Sequence, residues 1–183
     1  MIRSHTPNLA ALGLECNRLP QRIETPSAPC SPVRVRVFAQ RDALEIALPE
    51  LLNATRRFFD ATLDVQARSE TGDRIELLLR SDKYGYEGKL SVQARPVTES
   101  DLLDARAAEQ RGRAAGMSAL AERCHVIWEV ASLGPDSELA RLNLCGILAA
   151  VALGPVLPDD GSTLYGVRGS MERVERLLRS GEP

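Results

Sequence analysis

A chain of 183 residues, 44% apolar and 26% charged, can bury one core without disulfides or a structural metal. Its formal charge of −2 gives none of the global basic footprint that nucleic acid or an anionic membrane would select. Only 4% of the residues are aromatic, so the core must be built from Leu, Val, Ile and Ala.

Residues 1–32 stand apart from the rest. Prolines at 7, 20, 26, 29 and 32 remove backbone donors and favour extended conformations, and "TPSAPCSP" reads as a linker or surface arm. The opening "MIRSHTPNLAALGLEC" is too short and too polar for a secretory h-region, and Glu15 stands where a lipoprotein site needs a small residue. Cys16 and Cys30 flank the proline-rich stretch, whereas Cys124 and Cys145 lie in apolar segments and read as buried thiols. No C-x-x-C pair occurs, and two histidines give no zinc spacing.

The folded domain is expected over 33–183. "VRVRVF" (33–38) alternates as a half-buried strand, with Val33, Val35 and Val37 on one face and Arg34, Arg36 and Phe38 on the other. Residues 42–59 carry a helical apolar stripe interrupted by Pro49. They read either as one kinked helix or as a short strand at 43–48 before a helix at 50–59. Strands follow at 62–67, 74–80 and 89–95, joined by short glycine-containing turns, which implies an antiparallel meander. Alternation sends Leu63, Val65, Ile75, Leu77, Leu79, Leu90 and Val92 inward.

Thr98 and Asp101 resemble a capping box opening a helix that runs to Glu122 or breaks near 112–116. Its predicted inner stripe is Leu103, Ala107, Gln110, Ala114, Met117 and Ala121. A strand at 125–131 carries the only Trp. The helix at 135–153, capped by Asp136 or Ser137, turns apolar all round from Leu144 and should be the central buried helix. Its apolar run ends at Gly154-Pro155, short of a membrane span. A strand at 162–167 and a last helix capped by Ser170 complete the chain.

Four places could carry function. Asp159-Asp160-Gly161 has two carboxylates but reads as a turn. Gly166, Arg168, Gly169 and Ser170 form a strand-to-helix step whose amides, hydroxyl and guanidinium could hold an anion, although no Walker or dinucleotide spacing is present. Cys124-His125 invites a nucleophile reading, but neighbours in a strand point to opposite faces and share no proton. The outward sheet face, with Arg34, Arg36, Phe38, Arg80 and Arg95, and the turn tyrosines Tyr84 and Tyr86 could form a partner surface. The same face offers nucleic acid only one stacking ring, Phe38.

The sequence therefore predicts an α+β fold. A mostly antiparallel sheet of five or six strands carries three or four helices on one face, and an N-terminal arm precedes it. The function expected is a non-catalytic protein-interaction module of a bacterial cytoplasm, needing no metal or cofactor, whose arm can contact a protein partner. The rivals are a small enzyme or ligand-binding domain with its anion site at 166–170, and a nucleic-acid binder using the arginine face.

Overall fold

The computed structural model describes residues 34–135 and 138–180. The arm at 1–32, Cys16, Cys30 and the Asp136 or Ser137 cap lie outside these residues. The elements are β1 (Arg34–Ala39), α1 (Leu48–Phe58), β2 (Thr62–Arg68), β3 (Arg74–Ser81), β4 (Tyr86–Pro96), α2 (Glu99–Gly112), α3 (Met117–Ala121), β5 (Val126–Ser132), α4 (Glu138–Ala152), β6 (Val156–Leu157) and α5 (Val167–Ser180). The class is α+β, as the order of strands and helices predicts.

The six strands form one sheet in the order β2-β3-β4-β5-β1-β6. Every neighbouring pair is antiparallel. Register puts Ala94, Trp128 and Val37 in one row across three strands, all fully or nearly fully buried. The face they share also carries Ile75, Leu77, Leu79, Leu90, Val92, Val35 and Val130, and it packs against α1 and α4. α5 lies against α4. α4 is buried continuously from Asn143 to Ala149, which makes it the central helix its composition predicts.

Helices occupy both faces of the sheet, which corrects the one-sided expectation. Phe38, on the polar parity of β1, is fully buried. It shares a second core with Ile127, Leu157, Leu164 and Cys124, closed by Ala105 and Ala108 of α2 and Ala121 of α3. The physical reason is visible in β1 itself: Val37, Phe38 and Ala39 are apolar in succession, so the strand is covered on both sides at its C-terminal end.

Other expectations shift for local reasons. Residues 42–47 are neither strand nor helix, and α1 starts at Leu48 with Pro49 in its first turn, where a missing N–H costs nothing. Val65 is exposed because β2 is an edge strand whose register slips between Val65 and Ala67. The long helix breaks after Gly112: Arg113 and Gly116 both take left-handed backbone, at φ 52° and 83°. A Cβ on Gly112 would lie 1.8 Å from Thr163 Oγ1, so the helix end and the 160s loop can approach only because it is glycine. The predicted α2 stripe is rotated. Leu103 is exposed, and Asp101, Ala105 and Ala108 face the sheet.

The predicted strand at 162–167 reduces to one bridge, between Val156 and Tyr165. Pro158–Gly161 turns the chain, with Gly161 N–H donating to Pro158 O, and brings Tyr165 back beside Val156. The helix expected from Met171 starts at Val167 instead. No helix among the described residues is long and apolar enough to cross a membrane.

Candidate functional site

The arginine face is an ion-pair lattice centred on Asp101. Thr98 caps α2, and the Asp101 carboxylate closes the box by accepting from Thr98 N–H at 2.9 Å. The same carboxylate accepts two hydrogen bonds from Arg95 and one from Arg36. Arg36 also reaches Asp104 at 2.8 Å, while Glu129 takes Arg95 and Arg34. Burial alone would raise the Asp101 pKa, but Arg95, Thr98 and Arg36 outweigh it and hold the carboxyl well below its ordinary range. The Glu129 carboxyl is lowered in the same way, the arginines 95 and 34 again overcoming burial. Arg95 in turn is held more firmly protonated, chiefly by Asp101.

Two of the arginines read as partner contacts, Arg36 and Arg95, thus serve to dock α2 on the sheet, and a third, Arg34, pairs with Glu129 within the sheet. Each is matched by an acid, so they add little uncompensated positive charge for nucleic acid. Arg80, on β3, pairs with Asp64 across β2. Phe38 belongs to the interior. Tyr86 is buried too: the Asn143 amide donates to its hydroxyl, and burial pushes its pKa up to about 12. Tyr84 alone of the pair is half-exposed, with the Lys83 ammonium 5.1 Å from its ring centroid. The seven residues therefore do not form one surface.

The step at 166–170 is not brought together around a common point either. Ser170 lies inside α5, almost fully buried, and its hydroxyl donates to Gly166 O one turn back. It is not the cap. The Arg168 side chain is 94% exposed and pairs with Glu172 along the helix. Gly169 is a packing glycine, because a Cβ there would lie 2.7 Å from Tyr165 Cβ. The guanidinium that does approach this turn is Arg173, stacked 3.9 Å from the Tyr165 ring centroid. Asp160 accepts from Ser162 N–H, as in an ordinary aspartate turn.

Cys124 and His125 face apart, the thiol buried and the imidazole exposed. Burial raises the Cys124 pKa to about 11 and that of Cys145 to about 12. Among the described residues no cluster of three or more His, Cys, Asp or Glu side chains could hold a metal ion.

Two surface features remain. Among the described residues α2 and α3 pack over β5, β1 and β6 and reach β4 only at Arg95, near its end, so the same face of β2, β3 and the rest of β4 is left uncovered by them, with Arg74, Arg80, Lys89 and Gln93 exposed and Leu78 half-buried among them. A shallow hollow of about 170 Å³ indents it at Arg74, Ser91, Gln93 and Ala131. The second feature is a hollow of about 160 Å³ where α4, α5, the end of α1 and the β3–β4 turn meet. Of its residues, sequence reasoning singled out only Tyr84, and that as a partner contact. The one available signal was Asn143, a carboxamide inside the apolar run "LNLCGILAAV". No protein-family model matches the chain, and neither a curated protein nor a solved structure is similar to it.

Proposed function

We propose that this chain is a non-catalytic binding module that engages a protein partner through the bare half of its sheet, on β2, β3 and β4. The observation that carries the reading is the end of the helical cover among the described residues: α2 and α3 close the face over β5, β1 and β6 and reach β4 only at Arg95. What they leave is of mixed charge, indented by the shallow hollow at Arg74, Ser91 and Gln93. Leu78 stands beside Lys89 in register, and Glu76 stands beside Ser91. A polar face with an apolar centre suits a transient protein contact better than a small substrate. A cytoplasmic setting and a contribution from the arm at 1–32 belong to the same proposal.

The test is capture from native-host lysate by the full chain, by a Leu78→Asp/Lys89→Glu variant, by an Arg176→Glu variant on the exposed face of α5, and by a chain lacking residues 1–32. The reading expects a stoichiometric partner that Arg176→Glu keeps and the sheet variant loses, with thermal stability of both variants changed by no more than about 0.5 kcal/mol. Loss on truncation would add the arm to the interface. A partner still held by the sheet variant, or a chain that emerges alone, would rule the surface out.

A further inference from the structure

Residues 97–125 leave the sheet and return to the same place. They join the end of β4 to the start of β5, and these two strand ends are neighbours: Pro96 faces Val126 in register, and Val97 N–H donates to His125 O at 3.0 Å. Everything between, α2 and α3 included, is one closed excursion lying over the second core. Its parts hold firmly to each other. Arg106 pairs with Glu122 at 2.7 Å, and the Glu109 carboxylate accepts from the N–H groups of Gly116 and Ser118 at 2.6 and 2.8 Å.

Its grip on the rest of the chain is slighter. Among the described residues no backbone-to-backbone hydrogen bond joins 98–124 to the sheet. The buried apolar side chains that α2 and α3 bring to the second core are Ala105, Ala108 and Ala121, one methyl group each, with Leu102 and Met117 half-buried beside them. α4, by contrast, brings Leu144, Ile147 and Leu148 to the main core. Apolar grip scales with the area removed from water, so the α2–α3 layer is the weaker of the two covers. What fastens it is polar: Asp101 between Arg95 and Arg36, Asp104 on Arg36, and Arg111 Nε donating to Gly161 O at 2.9 Å.

We infer that residues 97–125 form a flap, which lifts off the sheet as one unit about its two adjoining ends while the strands, α4 and α5 stay folded. Opening breaks no strand pairing, since β4 and β5 remain joined up to Pro96 and Val126. The open form bares Phe38, Ile127 and Leu157, so it is a minor state of the free chain, and the Asp101 anchor sets its population. The motion needs no partner, so it stands whether or not the uncovered half of the sheet binds a protein. The fold supplies its own probes: Cys124 lies in the second core and Cys145 in the main one, both as buried free thiols.

The experiment is maleimide labelling of the full chain in urea below its unfolding transition, each cysteine read by peptide mapping, with amide hydrogen exchange of Ala105 and Ala108 followed alongside. After correction for each thiol's reactivity in the unfolded chain, Cys124 is expected to react at least tenfold faster than Cys145, with less than half its urea dependence. The Ala105 and Ala108 amides should share the Cys124 dependence. Ile75→Val trims the main core, which stays closed when the flap lifts. It should speed Cys145 by about twofold to tenfold and leave Cys124 unchanged. Asp101→Asn removes the anchor from the closed form alone and should speed both thiols by one common factor of at least tenfold. Equal rates and urea dependences at the two thiols, or an Ile75→Val variant that speeds both alike, would mean that the second core opens only with the whole domain, and would overturn the flap. Fast labelling of Cys124 without matching exchange at Ala105 and Ala108 would reduce the motion to fraying near residue 124 and overturn it equally.

Discussion

Arg95 grips Asp101 with two parallel hydrogen bonds, Nη1 to Oδ2 at 2.7 Å and Nη2 to Oδ1 at 2.8 Å. Asp101 is also the third residue of α2 and the reciprocal half of its capping box. One carboxylate thus ends a helix properly and fastens that helix to β4, and through Arg36 to β1. This double duty explains why α2, with alanines all round and no strong apolar stripe, has a defined rotation on the sheet. The ionic anchor sets the angle, and Ala105 and Ala108 follow it inward.

Replacing Asp101 by Asn keeps the shape and removes the charge. The Asp101 side chain is only 3% exposed, so the variant leaves two guanidinium groups facing an amide in a water-poor site. The loss should be about 3 kcal/mol, visible as a fall in Tm on the order of 8 °C. A double-mutant cycle with Arg95→Met should show coupling above about 1 kcal/mol. A cycle that closes additively would mean that the anchor is the capping box alone.

The lattice also fixes the acid limb of stability. Asp101 and Glu129 have lowered pKa values in the folded chain. The unfolded chain therefore binds more protons than the folded one as pH falls through the ordinary carboxylate range, near about 4. The stabilisation is fully present above that range and is lost progressively below it. Urea midpoints at pH 6 and pH 3 should diverge in the parent and converge in an Asp101→Asn/Glu129→Gln variant. Equal divergence in both would place the acid sensitivity elsewhere.

The division between what alternation reveals and what it hides is sharp in β1. Val35 and Val37 show their burial by period two, because one face of a sheet must be dry. Phe38 sits on the face that carries two arginines, and nothing local announces that a helix sixty residues later will cover it. The cover is non-local and made of alanines, which carry little periodic signal. The same limit applies to the hollow: Asn143 and Asp60 are far apart in sequence and meet only because α4 runs beneath the β3–β4 turn. Legible features, by contrast, were those with a local cause, such as the Thr98–Asp101 box, the glycine break at 112–116 and the Pro158–Gly161 turn.

Phe38 separates the two assignments directly. As a surface contact it could be replaced without loss of stability. As the centre of the second core, with no exposed area, its truncation to Ala should cost about 3–5 kcal/mol. Denaturant unfolding of Phe38→Ala measures this, and a loss under about 1 kcal/mol would return the residue to the surface.

Two glycines give the last prediction, because they fail for different reasons. Gly154 follows Leu153, which ends α4 in the left-handed region at φ 55°. A Cβ on Gly154 would fall 2.0 Å from the carbonyl oxygen of Phe38, a backbone atom of β1 that cannot swing away. The adjacent Phe38 N–H donates to Pro155 O at 2.9 Å, so any shift that relieved the clash would break β1 from the chain that leads into β6. Gly154→Ala should therefore cost more than about 3 kcal/mol, at the exceptional end for a single methyl group. Gly116 has φ 83° but meets no atom within 4 Å, so Gly116→Ala carries only the left-handed penalty of about 1–2 kcal/mol. Calorimetry of the two variants should rank them in that order. Equal costs would show that the close approach of α4's end to β1 is looser than the packing around Phe38 requires.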